Sequence, residues 1–198
     1  MSPSRISGQE RRDQILTKAA ELFATHGFEG TKFWQIAEAC HISEGVVFHF
    51  YKNKRELHIA AFSHIINDDP VLDLPVNKER EKAFQIIAQN ILTKCREEPT
   101  FLRFLLQIFL SEPGLTRLYY ESEAINNFIK FIKRKIDEGK NKGEYRAVDT
   151  NFAVVGFIGI IIYCAMSYEF FGPETVKNQS PDKLAKKTVD LFLNGLKL

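Results

Sequence analysis

Little in this 198-residue chain is set aside for covalent or redox chemistry. Its three cysteines, Cys40, Cys95 and Cys164, each stand alone in an apolar helical stretch. Without a CxxC pair there is neither zinc-ligand spacing nor a small disulfide framework, so no metal is expected and a reducing compartment fits. Charge of one sign is scarce as well: 27 Lys and Arg against 25 Asp and Glu leave a formal +2. Residues 1–58 carry eight basic and seven acidic side chains, so no bulk field announces a polyanionic partner. There is no G-x-S-x-G, phosphate loop or dinucleotide fingerprint, and the five histidines share no ligand spacing. Neither catalysis nor a resident cofactor is expected. Strand-like alternation is almost missing, which excludes a β-rich fold. No apolar run follows the Ser- and Arg-rich N-terminus as in a signal peptide, and the expected location is cytoplasmic.

What the chain does have is helical periodicity, sharpest over Thr31–Leu57, TKFWQIAEACHISEGVVFHFYKNKREL. Phe33, Ile36, Ala37 and Cys40 fall at i, i+3, i+4 and i+7, one apolar stripe on a short helix. Thr31 stands where an N-cap belongs. His41-Ile42 breaks the period, Ser43 caps a second helix, and Val47 and Tyr51 point inward from it. Gly45, Val46 and His49 are left on the outer side, with Phe48 and Phe50 on the flanks. Two short helices over a three-to-four-residue turn, with small Ala37 between them, make a helix-turn-helix over about residues 31–50. Its second helix is expected to read DNA. Local clusters of basic residues flank it: Arg5, Arg11 and Arg12 before, Lys52, Lys54 and Arg55 after. Such groups suit phosphates, which fix register without reading bases.

An amphipathic helix with Ile15, Leu16, Ala19, Ala20, Leu22 and Phe23 precedes this motif and ends at His26-Gly27-Phe28. The order AAELFATHGFEGT, IAEACHISEG, VFHFYKNKREL resembles the N-terminal domain of TetR/AcrR transcriptional regulators over residues 10–60. A weaker echo lies in Gly143-Glu144-Tyr145-Arg146 and in the closing Asp190–Leu196 segment. Two positions depart from the pattern: His41 replaces a turn glycine, and Phe48 replaces a frequent tyrosine, losing a phosphate hydrogen bond. The resemblance implies an all-α chain of two domains, 1–55 for DNA and 56–198 for ligand binding and dimerisation. It implies a homodimeric repressor on a palindromic operator of double-stranded DNA, released by a small-molecule effector. On the second helix Gly45 then admits the groove wall, Val46 suits a thymine methyl, His49 suits a base edge or a phosphate, and Glu44 suits either a cytosine amino group or the helix N-terminus, where the dipole favours a carboxylate. Lys32, Lys54 and the hydroxyls of Thr31 and Ser43 hold phosphates. The helix from about Asn53 to Asn67 becomes the lever between the two functions.

The remainder reads as further helices: one with Phe84, Ile87, Ala88, Ile91 and Cys95; a short one, Phe101–Leu110, apolar nearly all round and expected to be buried; and a long one from Pro113 through Lys140. Two more run over about Asp149–Phe171 and Pro181–Leu196. Abundant aromatics suggest a pocket for a small hydrophobic or aromatic effector, lined by Phe101, Phe104, Phe109, Tyr120, Phe128, Phe157 and Tyr163. Residues 152–171 carry so little charge that a membrane-attached or interaction protein using this helix is the alternative reading. A helix apolar all round also suits a core shared with a subunit interface. Gly156, Gly159, Leu184, Leu191 and Phe192 are expected at that interface, and no membrane is expected as a partner.

Overall fold

Ser7 starts the first helix: its hydroxyl accepts from the Glu10 amide and the Glu10 carboxylate accepts from the Ser7 amide, a reciprocal capping box. This computed structural model describes residues 6–67, 70–111 and 113–197, and Arg5 lies outside them. The described residues are helical, without a named strand. They fall into two units, Met1–Asp68 with Thr100–Tyr119, and Asp69–Pro99 with Tyr120–Leu198.

In the first unit, α1 (Gly8–Gly30) packs along α4 (Lys54–Asn67), with α2 (Phe33–Ala39) and α3 (Glu44–Phe50) packed on each other. Inside α1, Gly27 turns to φ 70° and ψ 178°, a region open in practice to glycine alone, and the helix kinks there and resumes to Gly30, whereas the sequence suggests an end at His26-Gly27-Phe28. The same unit takes in α6 (Pro99–Leu110) from Thr100 onward and α7 (Pro113–Glu121) as far as Tyr119. Leu57, His58, Ala61, Phe62 and Ile66 form the inward stripe of α4. His58 is fully buried within that stripe, whereas Ala60, His64 and Ile65 are only half-buried. Edge-on rings of Phe23, Phe28, Phe104 and Tyr119 enclose His58.

In the second unit, α5 (Arg80–Glu97) packs on α11 (Pro181–Asn194) and on α9 (Thr150–Met166), and α8 (Glu123–Asn141) packs on α9. A single π-turn, Ser167–Phe171, ends α9, and a four-residue helix α10 (Glu174–Lys177) follows. Phe84, Phe157 and Phe192 meet with centroids 5.0–5.8 Å apart and knit α5, α9 and α11 together. The two echo segments of the sequence also meet, since the Arg146 amide donates to the Leu196 carbonyl and Tyr145 bridges to Lys197.

Two expectations change. The long helix from Pro113 is two helices, broken where Ser122 takes extended backbone (ψ 143°) as the N-cap of α8. The helix over residues 99–110 is not buried all round: Phe101, Leu102, Phe104 and Ile108 face inward, but Phe109 and Leu110 are 46% and 79% exposed. In the single chain α9 is covered on one face only. By length and composition Thr150–Phe170 could cross a membrane, but its inner face is the core of the second unit. Phe152, Val155 and Tyr163 form an exposed stripe at helical spacing on the other face.

Candidate nucleic-acid interface

The interface begins with what holds α3 in place. Phe33, Ile36, Ala37 and Cys40 from α2 and the following turn are buried with Val47 and Tyr51 from α3, matching the periodicity. Between the helices His41 adopts φ 54°, the left-handed conformation expected of it and tolerable for histidine. The Ile42 amide donates to the Ala37 carbonyl, closing the turn. From α1, Gln14 Nε2 donates to the Cys40 carbonyl at 3.2 Å and Arg12 Nε donates to Tyr51 Oη at 3.2 Å. The Arg12 guanidinium also lies 5.7 Å from the Tyr51 ring centroid. Burial pushes the Cys40 thiol above its usual pKa, so this cysteine is a packing group and not a nucleophile.

Clamping Val47 and Tyr51 inward leaves the opposite face of α3 in solvent. Glu44, Gly45, Phe48 and His49 are exposed and Val46 and Phe50 are half-buried. Phe48 rests against Phe33 with centroids 4.5 Å apart, which fixes the ring although it is 51% exposed. A Cβ on Gly45 would meet only Ser43 Oγ, at 3.9 Å, so the fold itself does not demand glycine there. Ser43 is the N-cap residue of α3 but its hydroxyl makes no capping bond. Lys32 is exposed, and its amide donates to Gln35 Oε1 at 2.7 Å.

Two expected phosphate groups sit differently. Thr31 is fully buried; its hydroxyl donates to the Gly27 carbonyl at 2.8 Å, and Lys32, not Thr31, occupies the N-cap of α2. The kink at Gly27 frees that carbonyl, and the threonine closes it, so the hydroxyl is not offered outward. Lys54 is half-buried, its ammonium 4.3 Å above the Phe28 ring and 3.7 Å from Glu29. Trp34, passed over in the sequence, is 55% exposed at the start of α2 beside Lys32. Its place one residue off the inward stripe was the available signal.

The expected pocket residues are dispersed. Phe101 and Phe104 are buried in the first unit, where Phe104 packs on Phe23, His58 and Phe62. Phe128 and Phe157 are buried in the second. Phe109, Tyr120 and Tyr163 are 46%, 50% and 61% exposed, so in this single chain they do not line an enclosed cavity. Of the expected interface residues, Gly156 and Gly159 face open space and Leu191 is 67% exposed. Leu184 and Phe192 instead turn inward, because the main apolar stripe of α11 covers the core of its own unit.

Residues 15–61 match the family described as bacterial regulatory proteins, tetR family. An uncharacterized HTH-type transcriptional regulator of Bacillus subtilis (strain 168), YhgD, is 21% identical over 168 residues, 81% of this chain and 84% of the relative. The solved structure of the fatty acid degradation regulator FadR from Bacillus halodurans shares the fold at TM-score 0.74 and 19% identity, covering 93% of this chain and 99% of that one. FadR from Bacillus subtilis, in complex with stearoyl-CoA, gives 0.73 and 16%, covering 92% and 97%.

Proposed function

From the premise that the chain belongs to the TetR family of bacterial regulatory proteins and is a DNA-binding transcriptional regulator, we propose that it acts as a cytoplasmic homodimeric repressor. The dimer sits on a palindromic operator and leaves it when a hydrophobic effector binds. One observation carries the DNA half: Val47 and Tyr51 are buried, Tyr51 bonded by Arg12 of α1, while Glu44, Gly45, Val46, Phe48 and His49 stand together on the outer face of α3. His49 and Glu44 then meet base edges, Gly45 and Val46 meet the groove wall, and Phe48 and Phe50 press on sugar and phosphate. Lys32 and Ser43 hold phosphates. Trp34 joins them at the edge of this surface.

The dimer half rests on α9. Phe152, Val155 and Tyr163 are 61–77% exposed on one face, with Gly159 leaving room for a close helix and Leu191 exposed on α11. A contiguous apolar face of this kind marks an association surface. Family membership favours a second copy of the chain over a lipid bilayer as its cover. For the effector, the stearoyl-CoA held by the Bacillus subtilis regulator makes a long-chain acyl thioester the first compound to test. Release requires that the effector bind the DNA-incompetent arrangement more tightly, since equal affinity for both states shifts nothing.

The test is selection from a random duplex pool with the purified chain, followed by fluorescence anisotropy of the enriched site with and without stearoyl-CoA. An inverted repeat should emerge, and the acyl-CoA should weaken its binding. Recovery of no preferred sequence would refute the readout assigned to α3. Binding indifferent to acyl-CoA would refute the effector class alone.

A further inference from the structure

Away from the helix-turn-helix, the second unit contains an open cleft of about 940 Å³ between the start of α5, the last turns of α8 and the C-terminal segment. Its two inner cations are incompletely satisfied. Lys135, on α8, is only 7% exposed, yet its ammonium makes a single hydrogen bond, to the Lys78 carbonyl at 3.1 Å. The nearest carboxylate oxygen, on Glu138, stands 3.8 Å away, too far for a hydrogen bond. Arg80, the first residue of α5, pairs through one terminal nitrogen with Glu144, while its Nε is buried without a partner. Glu79, the N-cap residue of α5, makes no side-chain capping bond, so nothing from that side chain covers the first-turn amides. Lys142 and Lys197 stand exposed at the rim.

Buried donors left without acceptors are costly, more so when charged. Here they come from two helices and lie in one cleft. The four carboxylates that line the cleft do not answer them: Glu144 reaches a terminal nitrogen of Arg80 and not its Nε, Glu138 stays out of bonding range of Lys135, and Glu79 and Glu81 pair with neither. Donors approaching from several directions suit a group with three acceptor oxygens better than a planar carboxylate with two. The cleft is also far larger than one bare anion and lies near the upper end of ligand-pocket sizes, ~300–1,000 Å³.

We propose that this cleft binds a phosphorylated small molecule of nucleotide size, its phosphate held by Arg80 Nε and Lys135 Nζ. Lys142 and Lys197 draw the anion in. Glu144 sets the plane of the guanidinium, and the Tyr145 ring, 5.6 Å from Arg80, backs it. The site is independent of the acyl effector and is tested without it.

The experiment titrates the full chain by calorimetry with ADP, inorganic phosphate and adenosine. ADP should bind, and adenosine should bind at least tenfold more weakly. Arg80→Gln and Lys135→Met should each reduce ADP affinity tenfold or more, the worth of a charge-assisted hydrogen bond. Should the buried variants fail to fold, Lys142→Ala with Lys197→Ala is to weaken ADP severalfold and flatten its salt dependence. In the unaltered chain, the Arg80 Nε–H resonance should shift on adding phosphate or ADP. No binding of ADP or phosphate at millimolar concentration, equal binding of adenosine, or ADP binding that none of the folded variants disturbs would overturn the proposal.

Discussion

His58 should make the first unit acid-sensitive by an amount that can be worked out beforehand. Its ring is fully buried, Nε2 has no hydrogen-bond partner, and Nδ1 meets the Tyr119 hydroxyl. Burial, aided by the Lys54 charge, pushes its pKa down from 6.5 to about 3. The folded state therefore holds the neutral ring while the unfolded chain takes up a proton below pH 6.5. The contribution to stability is complete above that value and is lost as pH falls from 6.5 toward 3. Between pH 7 and pH 5 the loss is about 2 kcal/mol, one and a half pH units at about 1.4 kcal/mol each. The assay is urea unfolding at both pH values for the unaltered chain and for His58→Leu with Tyr119→Phe, which removes the orphan nitrogen and the hydroxyl facing it together. The unaltered chain should lose about 2 kcal/mol more than the double variant over that interval. Equal losses, or a His58 ring that titrates near 6.5 by NMR, would refute the reasoning.

Other consequences are equally direct. Gly159→Arg or Leu191→Glu places a charge on the exposed face of α9 or α11; light scattering should show monomers, since an unpaired charge in a desolvated seam costs about 3–5 kcal/mol. A dimer that persisted in both would put the interface elsewhere. His49→Ala should change which operator variants are preferred, while Lys32→Ala should weaken all of them alike and lower the salt slope by about one; binding isotherms on a panel of sites at several salt concentrations separate the two. Gly27→Ala should lose about 1–3 kcal/mol in thermal unfolding, because φ 70° with ψ 178° is strained for any Cβ and the new atom would sit 2.9 Å from Gln107 Oε1.

Short-range periodicity made the helix-turn-helix legible in the sequence. The stripe of Phe33, Ile36, Ala37 and Cys40, the left-handed residue at His41 and the inward pair Val47 and Tyr51 all depend on neighbours within a few residues. Local rules of helix spacing and turn conformation are therefore enough to place them. The same rules identified which faces of the later helices are apolar. They could not say what covers each face, because a stripe looks the same whether it meets its own core or a second molecule. Leu184 and Phe192 were assigned outward on that pattern, and packing against α5 and α9 turned them inward. Thr31 likewise looked like a free cap until the Gly27 carbonyl claimed its hydroxyl. The break at Ser122 carries no proline or glycine, and an N-cap serine alone does not separate a new helix from a continuing one. Most dependent on tertiary structure are the cage around His58 and the cleft of Arg80 and Lys135. His58 meets rings about 30 to 60 positions away along the chain, and Arg80 and Lys135 are about 55 apart, so only the folding of the chain sets the distances between them.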